Sequence, residues 1–271
     1  MRKSLSLSPF GAEISIDLRR RSAQDDDALR TLFLKHHLLV FREQALTKEE
    51  QADFIALFGP PLRSAMDGVG YITNEPIPGN MLGSSELAFH SDLSFSPKPF
   101  EAISLHAVEV ENGRSSTRFV DSTEAYRRLP QTTRERIAGL HALHVFGGPN
   151  LAGRNHEDIP ADLPRHIHPL VMIHPRTGEE ILYVNYNQTA RIVELDKAAS
   201  EALIEELFAA CYPAEAVYEH VWNNGDLVVW DNLATQHARN ATDNVGIRRL
   251  QKAVAAEAGF FEQHPQFQME M

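Results

Sequence analysis

A mainly β fold with its helices outside the core is what the chain predicts, and three patterns carry that prediction. Short apolar runs of strand length recur along it, at residues 38–41, 100–110, 227–230 and 248–255. Segments with helical spacing gather in the N-terminal part and in one later insertion, rather than alternating with the strands. Turn-formers such as Asn112-Gly113 and Asn224-Gly225-Asp226 punctuate the apolar runs. With 271 residues the chain can bury a substantial core as one large β domain or two small ones, and we read residues 1–271 as a single domain.

Each element follows from local pattern. Residues 11–18 alternate polar and apolar, as a half-buried strand does. A polar helix is expected over 25–36, followed by the 38–41 strand, with His36 and His37 at the junction read as surface residues. Thr47-Lys-Glu-Glu50 is a capping box; its helix carries Phe54, Ile55 and Phe58 up to Gly59-Pro60-Pro61. Residues 62–86 are rich in Gly, Pro and Asn and suit a substrate loop, with Tyr71 and Asn74 its most pocket-like members or merely its packing. The 100–110 strand sets Ile103, Leu105 and Ala107 on one face before Asn112-Gly113 turns into Thr117-Arg-Phe-Val. Ser122 is the expected cap of a helix ending at Pro130, and Thr132 with Glu135 opens another. Residues 150–164 are polar, aperiodic and broken by proline, which fits a lid and a plain surface loop equally. A hairpin is expected over 170–184, and the helix from Ser200 turns Leu203, Ile204, Leu207, Phe208 and Cys211 toward the core.

A formal net charge of −11 leaves no basic surplus to neutralise phosphates, which argues against nucleic acid and against an anionic membrane surface. The single cysteine, Cys211, excludes an intrachain disulfide framework and suits a reducing cytoplasm; on an apolar helix face it reads as a structural thiol. Residues 1–10 hold no continuous apolar segment, so neither a signal peptide nor a membrane span is read and a cytoplasmic protein is expected. A small molecule is the expected partner, and self-association is left open.

The chemistry centres on His90-Ser-Asp92. In an extended chain, residues two apart share a face, so one imidazole and one carboxylate would stand side by side. A pair this short arises by chance on a solvated strand edge, and it needs a third ligand from elsewhere. His237, just after the 227–230 strand, is the best candidate. Two histidines and one carboxylate on one face of Fe(II) leave the opposite positions free for a cosubstrate and O2. Asp226 and Asp231 read as turn and supporting residues, and Trp222 and Trp230 as core.

With these residues in place, the chain resembles the taurine/2,4-dichlorophenoxyacetate dioxygenase (TauD/TfdA) family of Fe(II)- and 2-oxoglutarate-dependent oxygenases. The likeness rests on His90-Ser-Asp92, Asn224-Gly225-Asp226, Trp230-Asp231-Asn232, His237 and Arg248-Arg249-Leu250. Further phrases extend it along nearly the whole chain: Leu39-Val-Phe-Arg42, Phe58-Gly59-Pro60, Thr117-Arg-Phe-Val-Asp121, His174-Pro-Arg-Thr-Gly178 and Tyr183-Val-Asn185. The resemblance implies a double-stranded β-helix, a jelly roll related to the cupins, with the metal inside one mouth. It implies Fe(II) on His90, Asp92 and His237, and 2-oxoglutarate and O2 as cosubstrates. The distal carboxylate of 2-oxoglutarate would lie on Arg249 with the Thr117 hydroxyl. Arg248 is the alternate, because a one-residue slip exchanges the faces of a strand. The implied reaction converts 2-oxoglutarate and O2 to succinate and CO2 while an unactivated C–H bond is oxidised, by hydroxylation or by a non-hydroxylating desaturation or rearrangement.

Departures from the family bear on substrate. Phe89 stands where tryptophan is common, and Arg114 and Ser115 replace a usual Gly-Gly. Sulfonate users place a second arginine at the position of Ala253, with Lys252 expected to face the other way, so small sulfonates are disfavoured. Phe89, Phe95 and Tyr71 suggest a partly hydrophobic small molecule. A non-catalytic metal-binding jelly roll is opposed by the intact triad, and a zinc hydrolase by the lack of any His-Glu-x-x-His phrase.

Overall fold

The computed structural model describes residues 3–63, 70–75, 84–146, 159 and 162–265. Most of the 150–164 stretch and parts of 62–86 lie outside the described residues, and so does the choice between lid and surface loop. Two sheets face each other. The larger has seven strands, in the order Lys3–Ser6, Ala12–Ser15, Leu38–Phe41, Leu227–Asp231, Ala102–Val110, Arg248–Ala255 and Gly70–Thr73. The smaller has four: Tyr218–Val221, Ser116–Asp121, Thr235–Arg239 and Leu87–His90.

The inner faces share one core. Val40, Ile103, Leu105, Val228, Trp230, Leu250 and Val254 from the larger sheet meet Phe119, Tyr218 and Trp222 from the smaller. Each such side chain, fully buried, contributes roughly 1.5–3 kcal/mol of transfer free energy, so this seam is the main cohesive term. It is the jelly-roll arrangement expected. The expected face of Ile103, Leu105 and Ala107 is the inward one.

Helices Ala23–His36 and Lys48–Ile55 cover the outer face of the larger sheet. Leu29, Phe33, Phe54 and Ile55 seat against Leu39, Phe41, Leu227, Val229, Ala253 and Ala255. Both begin with a capping box, Ser22 with Asp25 and Thr47 with Glu50. Helices Ser122–Arg128 and Lys197–Cys211 form a second apolar layer with the strands around Leu170 and Leu182. Cys211 is buried there, and burial pushes its thiol up to about 12, an inert group as expected. Among the described residues no helix is long and apolar enough to cross a membrane.

Three local expectations are corrected. The helix expected to open at Thr132 with Glu135 is Gln131–Ile137, whose N-cap is Pro130 without a side-chain hydrogen bond, so Thr132 is its second residue. The cap of the Ser122–Arg128 helix is Asp121, whose carboxylate accepts from the Thr123 and Glu124 amides; Ser122 is its first residue. His37 is a buried residue, 3% exposed. It ends the first helix in the left-handed region (φ 56°), so the chain reverses directly into the buried Leu38–Phe41 strand and the imidazole swings inward to Asp121.

Candidate active site

Strand pairing brings the two histidines together. The Leu87–His90 strand lies antiparallel to Thr235–Arg239 with His90 opposite His237, and the rings stand 4.2 Å apart between centroids. The carboxylate arrives differently from the strand alternation expected of it. The strand stops at His90, and Asn232 draws the following residues in: its Oδ1 accepts from the Asp92 amide, and its Nδ2 donates to the Asp92 and Phe100 carbonyls, each at 2.9 Å. Asp92 Oδ1 then lies 3.3 Å from His90 Nε2 and 3.7 Å from His237 Nε2. The three donor atoms lie within 4.8 Å of one another, the one such group of three among the described residues.

This donor set fits a ferrous ion. His90 Nδ1 lies 2.8 Å from the Ala88 carbonyl, which fixes the proton there and leaves the Nε2 lone pair facing inward. Burial, then the neighbouring His90, push His237 down to about 3, so it stays neutral and able to ligate. Burial pushes the Asp92 carboxyl up, but Lys252 and the two imidazoles outweigh it and hold it well below the usual carboxylate range. The Lys252 ammonium donates to Asp92 Oδ2 at 2.8 Å.

A cavity of about 130 Å³ opens beside the triad, and among the described residues its polar walls include Thr117, Arg239, Arg248 and Lys252. Its apolar walls are Ile72, Leu87, Ile103, Leu105, Trp230 and Ala238. Arg248 is 1% exposed, and its Nε and Nη1 have no hydrogen-bond partner among the described residues. Burial, together with the nearby Arg239, pushes Arg248 down to about 9. A buried guanidinium without acceptors is costly unless an anion arrives to take its protons.

Arg249, the expected clamp, points out of the barrel and pairs with Glu75 and Glu109, each at 2.6 Å. The reason is phase: Arg248, Leu250, Lys252 and Val254 face inward, and Ala253 and Ala255 face the helices. The same phase corrects Lys252, which faces the site; the reason for disfavouring small sulfonates therefore falls. The other substrate candidates are also engaged elsewhere. Tyr71 is 44% exposed under the Lys48 ammonium, and its neighbour Ile72 lines the cavity instead. Asn74 clips two turns, donating to the Thr242 and Gly246 carbonyls and accepting from the Arg248 amide. Phe89 stacks on Tyr212, and Phe95 packs in the core against Phe146 and Phe260. Arg239, unremarked in the sequence, is two residues beyond His237 on the same strand, which is the signal that could have found it.

Asp226 and Asp231 do support rather than ligate. Asp226 binds the Arg42 guanidinium at 2.7 Å and the Asn223 amide at 3.0 Å. Asp231 accepts from His174 and Arg176, both at 2.9 Å, and from the Leu233 and Ala234 amides. Trp230 is core, as expected, and also one wall of the cavity.

The family described as "Taurine catabolism dioxygenase TauD, TfdA family" matches residues 3–254. The chain is 34% identical over 190 residues to pentalenolactone F synthase of Streptomyces avermitilis, covering 64% of this chain and 62% of that protein. It thus spans less than two thirds of the length of that relative. It is 27% identical over 266 residues to the alpha-ketoglutarate-dependent 2,4-dichlorophenoxyacetate dioxygenase of Cupriavidus pinatubonensis, covering 89% of this chain and 92% of the other. Among solved structures, a taurine dioxygenase from Burkholderia xenovorans superposes with a TM-score of 0.78 at 26% identity, covering 96% of this chain and 92% of the other. AAD-2 in complex with Mn(II) and N-oxalylglycine gives 0.81 at 25% identity, covering 96% and 99%.

Proposed function

Because the chain belongs to the TauD/TfdA dioxygenase family, we propose that it is an Fe(II)- and 2-oxoglutarate-dependent dioxygenase acting on a small, partly apolar, anionic substrate. The observation that carries the reading is the buried Arg248, whose Nε and Nη1 have no hydrogen-bond partner among the described residues and which faces the same cavity as His90, Asp92 and His237. A metal site alone needs no such cation; a dicarboxylate beside the metal does.

The roles follow from position. His90, Asp92 and His237 would hold the iron, which when bound supplies the activation of O2 coupled to decarboxylation of 2-oxoglutarate. Arg248 and Thr117 take the distal carboxylate; Arg249 does not. Lys252 keeps Asp92 ionised, and its ammonium stands at the site as the anchor for a substrate anion. Ile72, Leu87, Ile103 and Leu105 exclude water around the reacting C–H bond.

Charge balance supports the anionic substrate. Arg239, Arg248 and Lys252 face the cavity against the single carboxylate of Asp92. A divalent ion and a dianionic cosubstrate cancel, so net positive charge remains to attract an anion. Relatives named for 2,4-dichlorophenoxyacetate and (S)-phenoxypropionate fit this description, each a carboxylate on an apolar ring. Hydroxylation is the proposed outcome. A desaturation or rearrangement is the second reading, favoured by the 34% identity to a protein named as a synthase.

An anaerobic titration tests the proposal. A visible metal-to-ligand band should appear only when Fe(II) and 2-oxoglutarate are both present, and a panel of carboxylates and sulfonates should then release succinate selectively. Iron loading with no 2-oxoglutarate-dependent band would refute the reading.

A further inference from the structure

Thr117 has a hydrogen-bond partner that decides where its proton points. Trp222 is fully buried, and its indole Nε1–H donates to Thr117 Oγ1 at 3.0 Å. Among the described residues this is the only partner of that hydroxyl. An indole N–H donates and has no lone pair to offer in return. The hydroxyl must therefore spend its own proton elsewhere, and the surface it presents is the cavity wall it shares with Arg248.

The indole is held for this task from both strands. The Tyr218–Val221 strand pairs with Ser116–Asp121 so that His220 lies opposite Thr117 and Val221 opposite Ser116. Trp222, one residue on, donates its amide to the Ser115 carbonyl at 3.0 Å and accepts from the Gly113 amide at 2.9 Å. It is thus the diagonal neighbour of Thr117 on the same face, within reach of a long side chain. His220 closes the other side edge-on, with ring centroids 4.4 Å apart.

We propose that Trp222 is a positioning residue for the cosubstrate: by occupying the acceptor side of the Thr117 hydroxyl, it aims that hydroxyl's proton at the distal carboxylate held by Arg248. This rests on the 2-oxoglutarate reading above. It makes selection of a dicarboxylate over a monocarboxylate 2-oxo acid depend on a tryptophan behind the hydroxyl it aims.

The test is an anaerobic titration of the Fe(II)-loaded enzyme with 2-oxoglutarate and with 2-oxopentanoate, which lacks the distal carboxylate. Trp222→Phe should weaken 2-oxoglutarate by about tenfold, the size of one charge-assisted hydrogen bond, and leave 2-oxopentanoate within about twofold. Thr117→Val should do the same, and the double variant should bind no worse than Thr117→Val alone. Additive losses, or equal weakening of both acids, would mean that Trp222 is only packing and would overturn the proposal. If Trp222→Phe fails to fold, benzothienylalanine incorporated at position 222 keeps the ring shape without the N–H and should give the same pattern. A wild-type enzyme with no band for 2-oxoglutarate would instead overturn the dioxygenase reading, and this inference with it.

Discussion

Beside the cavity, Asp92 gathers His90, His237 and Lys252; near the turn between Leu227–Asp231 and Thr235–Arg239, Asp231 gathers His174 and Arg176, and Asp121 gathers His37. Both regions are imidazole and carboxylate in close contact, yet they differ in what the carboxylates have left to give. Asp231 is consumed by two backbone amides, an imidazole and a guanidinium. Asp121 is consumed by His37, by the Thr123 amide and hydroxyl, and by the Glu124 amide. No backbone amide is bonded to the Asp92 carboxylate among the described residues, and its Oδ1 faces two imidazole nitrogens. The closed cluster is a structural knot, whereas the open one has donor atoms left to hold an ion. Residue type does not separate them; the presence of internal donors does.

The largest expected effect comes from breaking the open cluster. Asp92→Ala should abolish the Fe(II)/2-oxoglutarate band and lower turnover by about three orders of magnitude or more, while shifting the melting temperature little, because the ligand is not a structural knot. Unfolding of that variant at ordinary temperature would erase the contrast. Asp231→Ala should do the reverse. It leaves His174 and Arg176 facing a buried gap, so urea unfolding should show a loss of about 3–5 kcal/mol, with iron binding retained by the folded fraction.

A smaller effect separates the adjacent arginines. Arg248→Met should weaken 2-oxoglutarate by about a hundredfold in equilibrium titration, and Arg249→Met by no more than about twofold, since Arg249 spends its charge on half-buried Glu75 and exposed Glu109. Equal losses would mean that the inward phase of this strand is misread.

The smallest effect is a pH dependence of the closed cluster. Burial alone would lower His37, but Asp121, with Asp231 and Glu179, raises it above its ordinary value of 6.5. A raised folded-state value means the stabilisation is complete below the unfolded value and fades as pH rises through the folded one. The stability difference between wild type and His37→Gln should therefore be larger at pH 6 than at pH 9, as read by urea unfolding at both. A difference that grew with pH would contradict the cation held between carboxylates.

Much of this was legible from residue patterns. The Thr47 capping box, the Leu38–Phe41 strand and the inward face of Ile103, Leu105 and Ala107 follow from local rules, and the grouping of His90, Asp92 and His237 follows from motif. The misses near the site are largely of one kind. The residue pattern points to Arg249 where Arg248 faces the cavity, turns Lys252 away where it faces the site, and points to Tyr71 where its neighbour Ile72 lines the cavity. Each is an error of strand phase, by one residue. Leu250 and Val254 carried the corrective signal, since large apolar residues belong to the seam between sheets while Ala253 and Ala255 suit close contact with helices.

Composition and spacing by themselves determined the chemistry available: a two-histidine, one-carboxylate set, a pair of arginines, and strands to carry them. Only the tertiary structure decided which arginine faces the cavity, because alternation in a strand specifies that neighbours face opposite ways without specifying which way is in. That choice belongs to the partners. Arg248–Ala255 is held between Ala102–Val110 and Gly70–Thr73, with a register shift between Arg249 and Leu250. Those pairings, sealed by the core, turn Arg248 and Lys252 inward.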